Sequence, residues 1–203
     1  MTSARSSAGA ERAPERSLSP DAFVARCVEC IATGGAAPEI ARLVRLALVS
    51  QRDEPGAWGR VELLHAADDL LIVDLVLPPF ATSAVHEHGT WAVVGISQGC
   101  EVDELFVERA GALERSARHE LRSGDTLVLE PDGIHYIGNP SPQPARGIHV
   151  YGRHLGKVER RMWDPLTAAP RAMDFALFER WEKELTRVSA SAGAIVPPAF
   201  HRA

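Results

Sequence analysis

The chain has 203 residues, 45% of them hydrophobic and 24% charged, with a formal net charge of −5. That length suits one domain with a real core, and an acidic balance without any dense Lys/Arg block argues against a nucleic-acid partner. No apolar run approaches the roughly 20 residues that a membrane-spanning helix needs, so no membrane partner is expected either.

Residues 1–18 lack the apolar stretch of a secretory signal, which points to the cytoplasm. Their Ala, Ser and Arg content cannot repay the entropy of ordering and predicts a disordered tail. Residues 19–203 are expected to form one domain, with helices within 20–50, a barrel over 58–164 and a C-terminal helix over 171–188. In "SPDAF", Ser19 is a helix N-cap and Pro20 the first helical residue. Phe23, Cys27 and Ile31 then share a stripe, so Cys27 reads as a core residue. A lone Cys27-x-x-Cys30, with no second pair and no βαβ context, predicts neither zinc nor redox chemistry. A second helix over 38–50 sets Ile40, Leu43, Val44, Ala47 and Leu48 on one side.

From Arg60 to Tyr151 the texture changes to short β-prone runs: "RVELLH", "LLIVDLVL", "WAVVGI", "EVDELFV", "DTLVLE" and "ARGIHVY". Gly, Pro, Asp and Ser clusters separate them, the signature of an antiparallel sandwich or barrel. The fold class is therefore mainly β. Helical period returns with Phe175, Phe178, Trp181, Leu185 and Val188, a stripe expected to pack on the barrel.

Within the β region stands "VHEHGTWAVVGISQG". A pleated strand sends His86 and His88 to one face and Glu87 to the other. Two imidazoles side by side are a ready pair of metal ligands. Downstream, "GDTLVLEPDGIHYIGN" offers a third, His135, followed by Asn139.

The two segments resemble the motifs of the cupin superfamily, which implies a double-stranded β-helix barrel. Gly99, Gly124, Asp125, Pro131, Gly133, His135 and Asn139 fit that frame, with one residue fewer than usual between Gly133 and His135. Most cupins add a glutamate after the H-x-H, where this chain reads Trp91, Ala92, Val93 and Val94. The site is thus expected to hold three histidines and no carboxylate. Three neutral imidazoles leave Fe(II) its full charge, which favours a directly bound anionic ligand such as a thiolate.

Together with "GIHVYGRHLGKVERRMWDP", these segments are similar to the thiol dioxygenases, specifically the bacterial branch of the cysteine dioxygenase family. The resemblance spans roughly residues 58–164. It implies that His86, His88 and His135 hold Fe(II), that His149 and Tyr151 form a hydrogen-bonded outer shell, and that both atoms of O2 are added to sulfur to give a sulfinate. The family's serine two residues before that histidine is Gly147 here, which removes its hydroxyl from the outer shell. Some relatives carry a cysteine crosslinked to the tyrosine; Ala92 occupies that place, so no thioether is expected.

The family's substrates are small thiols bearing a carboxylate. Arg60 sits where cysteine-type enzymes place the arginine that pairs it, and a guanidinium fork suits that task. Strand alternation leaves its direction open, and Arg153 is a second candidate. The implied reaction is L-cysteine to cysteine sulfinate, with 3-mercaptopropionate as an alternative substrate. Three histidines would also suit a metal-binding module without turnover, or a hydrolytic zinc site. The expected partners are the thiol and O2, and the expected state is a monomer or small homo-oligomer. His65, His119, His154 and His201 have no spacing partners and are expected to be incidental.

Overall fold

The computed structural model describes residues 17–54, 58 and 63–197. Helix α1 (Pro20–Ala32) starts where the side chain of Ser19 accepts a hydrogen bond from the Ala22 N–H, 3.4 Å away. It buries Phe23 and Cys27, and the Phe23 ring lies 6.1 Å from that of Trp58. Burial pushes the Cys27 thiol up to about 12, so this cysteine is a packing residue with little thiolate character. Leu18, which the sequence places in the tail, is buried in the same cluster. Helix α2 (Ala37–Asp53) has no side-chain acceptor at its alanine N-cap; the Glu39 carboxylate instead accepts from the Ala36 N–H at 3.1 Å.

Eleven strands form two antiparallel sheets among the described residues. One runs β1 (Leu63–Ala66), β2 (Leu71–Leu77), β9 (Ala145–Tyr151), β4 (Ala92–Gln98), β7 (Thr126–Leu129) in spatial order. The other runs β11 (Pro170–Ala172), β10 (Arg161–Trp163), β3 (His86–Glu87), β8 (Ile134–Gly138), β5 (Cys100–Arg109), β6 (Ala112–Arg122). From β2 to β10 the chain alternates between the sheets except at the β5–β6 hairpin, and this is the double-stranded β-helix barrel that the cupin resemblance implies. No helix among the described residues is long and apolar enough to cross a membrane.

Each face of the first sheet has its own core. Outside, Ile72, Val93, Ile148 and Val150 pack with Ile40, Val44 and Leu48 of α2. The helix comes so close because Gly95 is bare: a Cβ there would stand 2.4 Å from Val44 Cγ1. Inside, Leu71, Ala92, Val94, Ile96 and Tyr151 form the barrel lining. The period-2 alternation thus sends His149 and Tyr151 inward, because they pair with Val73 and Leu71. The outer face of the second sheet buries Val85, Phe106, Ile134, Tyr136 and Trp163, with Ile195 packed against them.

The C-terminal region differs from the expected helix over 171–188. Residues Pro170–Ala172 form an edge strand paired with β10, a place where the missing N–H of proline costs little. Helix α3 (Phe175–Ala192) begins later, where the Asp174 carboxylate accepts from Leu177 N–H at 3.0 Å. Hydroxyls dock it on the barrel as much as its apolar stripe does. Thr186 Oγ1 accepts from Thr82 N–H at 3.1 Å, and Ser189 Oγ lies 3.0 Å from Thr82 Oγ1. Phe178 packs inward, while Phe175 remains 49% exposed.

Asn139 has a structural task. Its amide donates to the carbonyls of Leu77, Pro78 and Gln143 at 3.3, 3.1 and 2.7 Å, and its Oδ1 accepts from Ser141 N–H and Oγ–H. It ties the end of β2 to the loop before β9. Asn139→Ala removes these contacts from a fully buried position, so it should cost about 2–3 kcal/mol, read as a melting point lowered by roughly 5–10 °C. Metal content should not change.

Candidate metal centre

His86 and His135 face each other across the β3–β8 ladder, and His88 follows just beyond β3. All three are buried, with ring centroids 4.6 to 5.1 Å apart. The Nδ1–H of His86 donates to the Ala84 carbonyl at 3.0 Å, and the Nδ1–H of His135 donates to Asp103 Oδ1 at 3.0 Å. Both contacts leave Nε2 free as a lone-pair donor. One potential ligand atom from each histidine lies within 4.8 Å of the other two.

The electrostatics fit a cation. His135 Nε2 and His88 Nε2 stand 3.2 Å apart. Two unprotonated nitrogens at that distance repel each other unless a proton or metal ion lies between them. Nitrogens each about 2.1 Å from one ion and at right angles would be about 3.0 Å apart. Burial holds His86 and His88 well below the ordinary histidine range, and the neighbouring His135 ring and Arg160 guanidinium add to the effect. They therefore stay neutral, the form in which imidazole ligates.

Carboxylates are present after all, one shell further out. Asp103 is fully buried on β5, with its Oδ1 on His135. Two residues earlier, on the same face, Glu101 places Oε2 3.3 Å from His149 Nε2. Burial raises the Glu101 carboxyl, and His149 pulls it back down. For His149, burial opposes charge, but the Glu101 carboxylate outweighs it and raises the ring's pKa. His149 Nδ1 lies 3.4 Å from the hydroxyl of Tyr151, whose ring stands against His88 at 4.9 Å. Burial, then the charge of Glu101, raises Tyr151, which keeps its proton. Sequence reasoning misses both acids. The signal is there all the same: "EVDE" carries acids on both faces of a strand, which a strand with one wet face does not need. Because Asp103 fixes the tautomer of His135, Asp103→Asn should weaken metal binding by about 10- to 100-fold, measured by titration against a competing chelator.

The expected carboxylate clamps fare differently. Arg60 lies outside the described residues, and Arg153 is exposed. Among the described residues, the buried guanidinium is that of Arg160, 8% exposed. It has the strand parity of Met162, which pairs with His86, so it turns inward, while Arg161 turns outward onto Glu87 and Glu108. Its Nη1 donates to the Glu87 carbonyl at 3.3 Å, the Phe175 ring lies 5.0 Å from its Cζ, and its buried Nε has no partner among the described residues. It also lines a cleft of about 730 Å³ with Leu155, Val158, Arg171 and Phe175. Ala92 faces Tyr151 across the β4–β9 ladder, putting a methyl group there. His65 and His154 are half-buried; the His154 ring accepts from the Gly156 N–H at 3.1 Å. His119 is exposed on β6, and His201 lies outside the described residues.

These features define a double-stranded β-helix with a buried group of three histidines that can hold a metal ion. No protein-family model matches the chain. Among solved structures it is similar to an RmlC-like cupin family protein from Methanocaldococcus jannaschii, with 20% identity, TM-score 0.40, and coverage of 48% of this chain and 82% of that one. A cupin superfamily protein from Desulfitobacterium hafniense DCB-2 matches with 16% identity, TM-score 0.38, and coverage of 45% and 73%. An oxalate oxidase in complex with the substrate analogue glycolate matches with 15% identity, TM-score 0.37, and coverage of 42% of each chain. The fold itself is read from the strand order and register described above.

Proposed function

We propose that this protein is a non-haem Fe(II) thiol dioxygenase acting on a small carboxylate-bearing thiol, with L-cysteine as the leading substrate and 3-mercaptopropionate as the alternative. The observation that carries this is the pairing of three buried imidazoles with a buried arginine that has an unpartnered N–H. Iron(II) held by His86, His88 and His135 would supply the redox chemistry by which both atoms of O2 join the thiolate sulfur, RS⁻ + O2 giving RSO2⁻.

The chain's own groups would do the rest. Arg160, rather than Arg60 or Arg153, would pair the substrate carboxylate. In a site that excludes water, such a charge-assisted contact is strong and fixes orientation. Tyr151 would offer its hydroxyl toward the reacting atoms, steadied by His149. Asp103 would keep Nε2 of His135 turned to the centre. Phe178, whose ring lies 5.0 Å from that of His86, would shield the centre from solvent.

A glycine in place of serine at position 147 would suit metal binding without turnover. Glu101 supplies His149 with a polar partner by another route, however, and that favours catalysis. The test is O2 uptake after anaerobic Fe(II) loading, comparing L-cysteine, 3-mercaptopropionate and a thiol without a carboxylate. Uptake matched by sulfinate supports the proposal; faithful iron loading with no uptake favours the binding module.

A further inference from the structure

Glycine at position 147 is enforced by packing. A Cβ there would stand 2.6 Å from the Gly95 carbonyl oxygen and 2.8 Å from Ile96 Cδ1, because β9 is pressed onto β4 at this point. Backbone cannot yield as the end of a long side chain can, so no side-chain hydroxyl can reach His149 from position 147. The ring nevertheless has a carboxyl neighbour, which crosses the barrel from the opposite sheet. Glu101 is 1% exposed, its Oε2 is 3.3 Å from His149 Nε2, and its Oε1 has no hydrogen-bond partner among the described residues. The two groups lie within ion-pair distance without the alignment of a good hydrogen bond.

We propose that Glu101 is the positioning residue of this site: its carboxylate keeps the proton of His149 on Nε2 and turns Nδ1 toward the Tyr151 hydroxyl. The reason is energetic. A buried carboxylate with no partner is costly, and the nearest group able to offset it is the His149 ring. That contact fixes which ring nitrogen faces Tyr151, as a carboxylate behind a histidine does in metal sites. The raised pKa of His149, which burial alone would lower, agrees with it. The resulting line, Glu101 to His149 to Tyr151, does the orienting that the missing hydroxyl would have done. Its kinetic consequence rests on the thiol dioxygenase proposal; its structural consequence does not.

The test uses Glu101→Gln, with Glu101→Asp as a second variant whose carboxylate is retained but drawn back. In zinc-loaded protein, where the metal is diamagnetic, long-range ¹H–¹⁵N spectra of the histidines should show His149 protonated at Nε2 in the parent. That pattern should be lost or mixed in both variants. With iron, kcat should fall about 10- to 100-fold, with iron content unchanged and KM within about twofold, because Arg160 is untouched. In a His149→Gln background the same change should cost nothing more. An unchanged His149 spectrum, or a full additional loss in that background, overturns the proposal. If the parent oxidises no thiol, the functional proposal fails, while the nitrogen spectra still decide the role of Glu101.

Discussion

Replacing His88 with alanine should abolish iron binding and turnover while leaving the protein folded. His88 lies just past the end of β3 and contributes no pair to the ladder, and its Nδ1 has no partner among the described residues. Its loss therefore breaks no strand. Structural metal sites with four ligands bind with roughly 10–16 kcal/mol, about 2.5–4 kcal/mol for each ligand. One lost imidazole should thus weaken affinity on the order of 10²- to 10³-fold, since 1.4 kcal/mol is about tenfold. The parent's melting point should rise when Fe(II) is added, as any ligand specific to the folded state requires. That of His88→Ala should not. Metal analysis, melting curves and O2 uptake read the same variant three ways. Full iron and full activity would remove His88 from the centre.

The second large effect concerns Arg160. Arg160→Met keeps an unbranched apolar stem but removes the guanidinium and its contact with the Phe175 ring. Truncating one partner of a buried charge pair costs about 2–5 kcal/mol, so kcat/KM for a carboxylate-bearing thiol should fall on the order of 10²- to 10³-fold. Iron content should hold. With cysteamine, which has no carboxylate, the parent and the variant should perform alike, because the missing interaction is absent from both. Lysine at this position should recover only part of the loss, since it lacks the planar fork. An equal loss with cysteamine would mean that Arg160 supports the fold through the Glu87 carbonyl and does not touch substrate.

Much of the barrel is legible because its signals are local. Ser19 and Pro20 mark the start of α1, and the spacing of Ile40, Val44 and Leu48 marks the buried face of α2. The pleat alone puts His86 and His88 on one face, and the structure brings His135 to them across a strand pair. What stays hidden depends on partners distant in sequence. Arg160 and Arg161 are indistinguishable as neighbours in "ERRMW"; only the pairing of Met162 with His86 decides which one turns inward. Asp103 and Glu101 read as ordinary acids in a β-run until β5 is placed beside β8 with His135 opposite Leu105. Helix α3 looks apolar-docked from its stripe, yet Thr186 and Ser189 carry contacts that periodicity does not weigh. In the sequence, Gly147 is only a missing hydroxyl. The structure gives its cause, the pressure of Gly95 and Ile96, and shows Glu101 on the far side.

The most direct measurement of the central claim is a single turnover under ¹⁸O2. Protein loaded with Fe(II) without oxygen would be mixed with L-cysteine, and in parallel with 3-mercaptopropionate, and the product weighed by mass spectrometry. Sulfinate carrying both labelled oxygens, formed in proportion to iron and absent with His88→Ala, is the expected result. Disulfide with peroxide, sulfinate carrying solvent oxygen, or no product at full iron occupancy would contradict it.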